Sequence, residues 1–329
     1  MSTPRTRVAV IGAGAVGTVV AAAAHDAGHD VVLCARRRPP RLVVERADGI
    51  RELGVPVLVD PGEATEADWV LLATKAQDVP GAAAWFDGLI GPDTTVVVLQ
   101  NGVDHADRVR PLLPAGTALL PALVYVAAEM LEPGHVLHRQ GARLTVPGHP
   151  DTAPAEHRSG FTAPPQAEVP PAAVPVRPAR AEPGPRFAAL LAGSSLEVEQ
   201  VADFRTAAWR KLLTNVAANP ITSLTLQRMS VIQHDPSVRA LTRALLQEAV
   251  GVGARDGARL TAEDVDRTLE IYDGFAPGDG TSMLYDRLAG RATEHELITG
   301  AVVRLGDARD VPVPLNRAVL ALMRGVNHK

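Results

Sequence analysis

Gly12, Ala13, Gly14, Ala15, Val16 and Gly17 spell G-x-G-x-x-G directly after the apolar run VAVI and at the start of a helical stretch. That spacing binds a dinucleotide: the first glycine permits the tight turn, the second lets backbone approach a pyrophosphate, and the third lets helix and strand pack closely. The helix start then offers free N–H groups and a partial positive charge to the phosphates. A purely structural glycine turn is the alternative. About 20 residues on, where an acidic residue selects NAD by binding the ribose 2′-hydroxyl, the chain reads Cys34, Ala35, Arg36, Arg37, Arg38. A forked guanidinium there suits a 2′-phosphate, so NADPH is the expected cofactor and Arg36 its first ligand; a solvated basic turn is the other reading.

A second constellation lies in WRKLLTNVAANP, where Lys211, Asn215 and Asn219 recur every four residues. On a helix they form one stripe opposite Leu212, Leu213, Val216 and Ile221. Asparagine is a poor helix former and gains little on a solvated face, so two in register with a lysine describe the wall of a polar cleft, with a solvent stripe as the alternative. Pro220 has no N–H, and should free a carbonyl near residue 216 and bend the helix. Glu294 shares a face with Leu297, Ile298, Ala301, Val302 and Leu305 if the helix runs through 282–308. A carboxylate on an apolar stripe requires a partner or a polar pocket. Ser282 is either a helix N-cap or a hydroxyl donor to a ligand.

These residues need a scaffold, and the hydrophobic pattern supplies one. Runs of buried-strand type occupy 8–11, 31–33, 69–73 and 96–99, with helical segments such as 16–27 and 80–89 between them, the alternation of a doubly wound parallel sheet. Lys75 and Asn101 follow two of these strands, where an open sheet binds its ligand, and so face the nicotinamide half of the cofactor; a surface lysine and an Asn-Gly turn are the alternatives. Residues 134–146 read as an edge hairpin, 187–191 as a short helix and 196–201 as a last strand. Helical periodicity then covers 205–227, 236–256, 262–272, 282–308 and 314–325. The fold class is α/β: an N-terminal Rossmann-type domain over 1–203, then an all-helical domain over 204–329. Residues 149–185 hold ten of the 27 prolines and read as a mobile insert, since proline removes backbone donors and favours extended chain.

Composition narrows the remaining classes. A net charge of −4 offers no field for nucleic acid or anionic membrane, and no run of about 20 apolar residues exists to span a bilayer. The single cysteine, Cys34, excludes an internal disulfide framework and thiolate zinc sites. None of the ten histidines stands with acids at metal-ligand spacing, so no metal is assigned. The chain enters its first strand with no signal-like apolar region, so a cytoplasmic protein is expected.

In order along the chain, Gly12 to Gly17, Lys75-Ala76-Gln77, Leu99-Gln100-Asn101-Gly102, Trp209-Arg210-Lys211 with Asn215 and Asn219, Ser282-Met283-Leu284-Tyr285-Asp286, Thr293-Glu294, Gly300 and Pro314 resemble the ketopantoate reductase family. The resemblance spans nearly everything outside the insert. It implies NADPH-dependent reduction of the 2-keto group of ketopantoate to (R)-pantoate, on the route to pantothenate and coenzyme A. It also implies Lys211 as the catalytic lysine and Glu294 as its acidic partner. Asn215, Asn219 and Ser282 become substrate ligands, Asn101 a residue near nicotinamide and substrate, and Lys75 and Arg36 cofactor ligands. A homodimer is a candidate assembly.

Thr299 and Tyr285 depart from the family, standing where many members carry asparagine and glutamine, and the insert is unusually long. Two other functions therefore stay open: a related NADPH-dependent reductase of another 2-keto acid, and a non-catalytic NADP(H)-sensing regulator. A regulator would have no use for a lysine and a glutamate in a cleft.

Overall fold

The computed structural model describes residues 5–148, 182–276 and 278–327. Its first part runs β1 (Arg7–Ile11), α1 (Ala15–Asp26), β2 (Asp30–Cys34), β3 (Val43–Arg46), β4 (Gly49–Glu52), β5 (Val57–Leu58) and β6 (Ala67–Leu72). There follow α2 (Val79–Ala82), α3 (Phe86–Leu89), β7 (Ile90–Val98), α4 (His105–Val109), β8 (Ala118–Pro121), β9 (Leu123–Glu132) and β10 (His135–Pro147). After the insert come α5 (Pro183–Leu190) and β11 (Glu197–Val201). The rest is helical: α6 (Phe204–Val216), α7 (Ala218–Thr225), α8 (Ser230–His234), α9 (Pro236–Arg255), α10 (Ala262–Asp273), α11 (Ser282–Leu288), α12 (His295–Ala308) and α13 (Pro314–Asn327). No helix among the described residues is long and apolar enough to cross a membrane.

Six parallel strands form a sheet in the order β5-β2-β1-β6-β7-β8. Its inner strands are apolar runs because both faces are covered. On one side Trp85, Phe86 and Leu89 pack over Ala9, Ile11, Val70 and Val98. On the other lies α1, with a second sheet beyond it in the order β11-β10-β3-β4, and β9 paired to β10. Squeezed between sheets, α1 is buried all round from residue 17 to 24, which accounts for its alanines: larger side chains would hold the layers apart.

Three expectations are corrected. Residues 134–146 do not form a hairpin by themselves; they lie in the single strand β10, whose antiparallel partner is β9. Gly141 within this strand sits at φ +80° in a register shift between Gln140 and Arg143, the strained position of a bulge. Residues 282–308 are not one helix, because Gly290 adopts φ +65° after α11 and ends it. Glu294 is consequently the N-cap of α12, and not a mid-helix residue. Pro183 and Pro185, assigned to the insert, belong to the first turn of α5, where no N–H is missed. Residues 149–181 lie outside the described residues.

The bend expected from Pro220 is present as the break between α6 and α7 at Ala217. The Tyr272 hydroxyl stitches it, donating toward the carbonyls of Leu213 (3.0 Å) and Thr214 (3.2 Å) and accepting from the Ala218 N–H (3.4 Å). A buried carboxylate anchors α6 on its other side: Asp256 accepts from Trp209 Nε1 at 2.7 Å and Arg205 at 2.8 Å, and also from Arg309.

One buried base gives the fold a pH signature. His105 is fully enclosed, with Nε2 2.9 Å from the Gln100 carbonyl, and burial, helped by the Arg108 charge, pulls its pKa down to about 4. Unfolded histidine takes up a proton near pH 6.5, whereas the folded protein resists it down to about pH 4. Stability is therefore full above pH 6.5 and declines as pH falls through that window. Thermal unfolding between about pH 7 and pH 5 should show this loss, and His105→Gln should reduce its slope; an unchanged slope would remove His105 from the account.

Candidate active site

Parallel strands deliver their C-terminal ends to one edge of the sheet, and there Gly12 follows β1, Arg36 β2, Lys75 β6 and Asn101 β7. Gly12 adopts φ +113°, and a Cβ on it would lie 2.8 Å from the Thr74 nitrogen. Gly17 meets the Gly12 carbonyl so closely that any side chain would collide with it. Gly14 differs: a Cβ there would meet nothing within 4 Å. It is the N-cap of α1 and makes no side-chain cap bond, so Ala15, Val16 and their neighbours begin a helix whose first N–H groups no side chain satisfies. Tight packing on both sides of an open cradle fits a dinucleotide pyrophosphate. Ala13 packs against the apolar core beside it.

Arg36 is largely exposed, its guanidinium 3.8 Å from Asp78. Lys75 reaches across to the helical part, where Nζ is 2.6 Å from Asp286 Oδ2 and 3.1 Å from the Ala292 carbonyl. Asp286 also accepts from Arg291 Nε at 2.9 Å. Asp286 stood inside a motif of the sequence, but no spacing rule couples it to Lys75. Asn101 likewise crosses over, donating from Nδ2 to Glu294 Oε2 at 3.0 Å, while Arg108 holds its carbonyl at 3.2 Å. Arg304 and Asp104 add a third crossing at 3.0 Å. These contacts join the sheet edge to the helical part.

The helical wall carries the remaining candidates. Asn219 is buried and Asn215 and Lys211 half-buried, so the stripe does not face solvent. The side chains of both asparagines make no hydrogen bond among the described residues. Ser282 is the first residue of α11, but Thr281 is its cap, accepting from the Leu284 N–H at 3.2 Å. The capping alternative for Ser282 is thus corrected, and its exposed hydroxyl stays uncommitted.

Lys211 and Glu294, expected as partners, are not bonded to each other: Glu294 takes Asn101, and the Lys211 ammonium lies 4.7 Å from the centroid of the Tyr125 ring. No carboxylate pairs with Lys211 among the described residues. Burial, with a smaller push from Arg143, lowers its pKa to about 8, which readies it to give up a proton near neutrality. Tyr125 and Arg143 escaped the sequence reading because they come from strands whose pairing no local pattern reveals.

Comparison with known proteins places the chain in a family and a fold. The family profile described as "Ketopantoate reductase PanE/ApbA" matches residues 8–151, and "Ketopantoate reductase PanE/ApbA C terminal" matches residues 203–327. A 2-dehydropantoate 2-reductase of Caulobacter vibrioides is 36% identical, over 97% of this chain and 98% of the relative. Among solved structures, a PanE/ApbA family ketopantoate reductase from Ralstonia eutropha JMP134 superposes with a TM-score of 0.81 at 30% identity, covering 98% of both chains. A D-mandelate dehydrogenase solved with NADH and anilino(oxo)acetate shares the fold, with a TM-score of 0.79 at 20% identity over 98% of both chains.

Proposed function

The chain belongs to the ketopantoate reductase family, and on that premise we propose that it is an NADPH-dependent reductase converting ketopantoate to (R)-pantoate. The observation that carries the reading is the Lys211 ammonium, set 4.7 Å from the Tyr125 ring with no carboxylate partner among the described residues and with its pKa lowered by burial to about 8. The glycine cradle and Arg36 would hold NADPH, which would supply a hydride for C2 of the keto acid. Charge then develops on the former carbonyl oxygen, and Lys211 donates a proton to it from Nζ. Asn215, Asn219 and the Ser282 hydroxyl offer uncommitted donors and acceptors for the carboxylate and hydroxyl of the substrate, fixing the face it presents. Glu294, oriented by Asn101 at 3.0 Å, accepts from a substrate hydroxyl. Lys75, bonded to Asp286 at 2.6 Å and to the Ala292 carbonyl at 3.1 Å, would meet the cofactor from the turn after β6. Mixing protein, NADPH and ketopantoate should consume the two reactants one for one and yield (R)-pantoate; no consumption sinks the reading.

The 2′-phosphate preference rests on Arg36. Because that side chain is largely exposed, Arg36→Gln should leave folding intact and raise the KM for NADPH by about tenfold, the scale of one charge-assisted contact, without changing the KM for NADH. Equal effects on both cofactors would move the phosphate contact elsewhere.

A second reading, reduction of a different 2-keto acid, is favoured by Tyr285. Its hydroxyl accepts from the Gly280 N–H at 3.1 Å, and Arg228 lies over its ring at 5.2 Å, so an aromatic–cation pair stands within one turn of α11 from Ser282.

A further inference from the structure

Only three of the 33 Lys and Arg residues in this chain are lysines: Lys75, Lys211 and Lys329. Arginine keeps its charge at any accessible pH, and lysine is the cation that can release a proton. Lys75 is neutralised by Asp286. Lys211 has an aromatic ring instead, and the ring has a second cation. Tyr125 is paired across the β9–β10 ladder with Arg143, close enough for side chains to meet, and the guanidinium carbon lies 4.5 Å from the ring centroid. The register that brings them opposite follows the shift at Gly141, where a side chain would strike the Tyr125 carbonyl oxygen. Tyr125 itself packs against the helical core that includes Trp209 and Leu212, so one ring joins the strand hairpin to the helix bearing Lys211.

We propose that Tyr125 and Arg143 are positioning residues for Lys211: the ring seats its ammonium in the cleft, and the guanidinium on the same ring makes that ammonium ready to release its proton. A ring face attracts a cation through its quadrupole without accepting its proton. A carboxylate at the same place would hold the proton and raise the pKa. Other charged groups packed about α6 have partners of their own among the described residues. Asp264 of α10 takes Arg210 and Arg267, Asp256 takes Arg205 and Arg309, and Glu294 takes Asn101. Tyr272 is bonded to backbone. Arg143, which also lies 3.4 Å from Glu199 of β11, is the charge that acts on Lys211 beside the effect of burial.

The inference rests on the reading of Lys211 as proton donor, and its test separates the two. Protein containing carbon-13-labelled lysine should give three side-chain signals, the one missing in Lys211→Ala being that of Lys211. In Arg143→Met, a change at a half-exposed site, the titration midpoint of that signal should rise by about half a unit or more, and the alkaline limb of the kcat profile should move with it. In Tyr125→Leu, kcat should fall about tenfold, the scale of a desolvated cation–π contact, with little change in KM, and Tyr125→Phe should restore it. An unmoved Lys211 midpoint in Arg143→Met overturns the proposal, as does a Tyr125→Phe variant as impaired as Tyr125→Leu. Activity surviving in Lys211→Ala instead overturns the donor reading, while the midpoints still judge the electrostatic one.

Discussion

Lys211→Ala is expected to lower kcat for 2-keto acid reduction by two or more decades, the range of general acid catalysis, while the affinity for NADPH stays within about twofold of the wild-type value. The asymmetry follows from position. Lys211 projects from α6 into the helical wall of the cleft and lies over Tyr125, whereas the cofactor cradle is built by Gly12, Gly14 and the start of α1 on the sheet edge. Removing the ammonium leaves the developing alkoxide without its proton source and strands no carboxylate among the described residues. Turnover in the variant equal to wild type would assign the proton to another donor. The non-catalytic sensor reading predicts cofactor binding with no turnover in either protein, so the same comparison separates it.

Gly14→Val should weaken cofactor binding about a hundredfold without weakening the fold. A Cβ at Gly14 meets nothing within 4 Å, so the branched side chain is accommodated by the protein, but it fills the space through which a pyrophosphate would reach the N–H groups of α1. Hydrogen bonds to charged groups are worth about 1.5–3 kcal/mol each, so losing one or two weakens NADPH binding on the order of a hundredfold. Gly17→Val is the contrast: it collides with the Gly12 carbonyl and should lower Tm as well. Measuring Tm and NADPH affinity for both variants checks the pair. A Gly14→Val protein that binds NADPH normally would place the phosphates elsewhere.

How far the sequence alone reaches depends on the range of the interaction involved. The strand, glycine turn and helix from Arg7 to Asp26 are legible because each step is local: an apolar run, three glycines at fixed spacing, then alanines that fit between two layers. The α6–α7 break is legible for the same reason, since Pro220 states its missing N–H by its identity. Gly290 gives no such notice. Among helix formers a glycine reads as tolerated, and only its φ of +65° reveals the stop that turns Glu294 from a mid-helix anomaly into the N-cap beside Asn101. The second sheet is the least legible part: β10 pairs with β9, β3 and β11, contacts made between distant segments and stated by no single one of them. The candidate site divides along the same line. Lys211, Asn215 and Asn219 announce themselves by period, while Asp286 opposite Lys75, and Tyr125 with Arg143 beside Lys211, exist only once the strands and helices meet.

The central claim, an NADPH-dependent reductase matched to ketopantoate, is tested most directly by kcat/KM values measured with NADPH across a panel of 2-keto acids that includes ketopantoate, its unbranched homologues and aromatic members. The highest value is expected for ketopantoate, with dependence on Lys211 throughout. A higher value for another acid, above all an aromatic one that Tyr285 and Arg228 could contact, would contradict it and assign the same site to a different substrate.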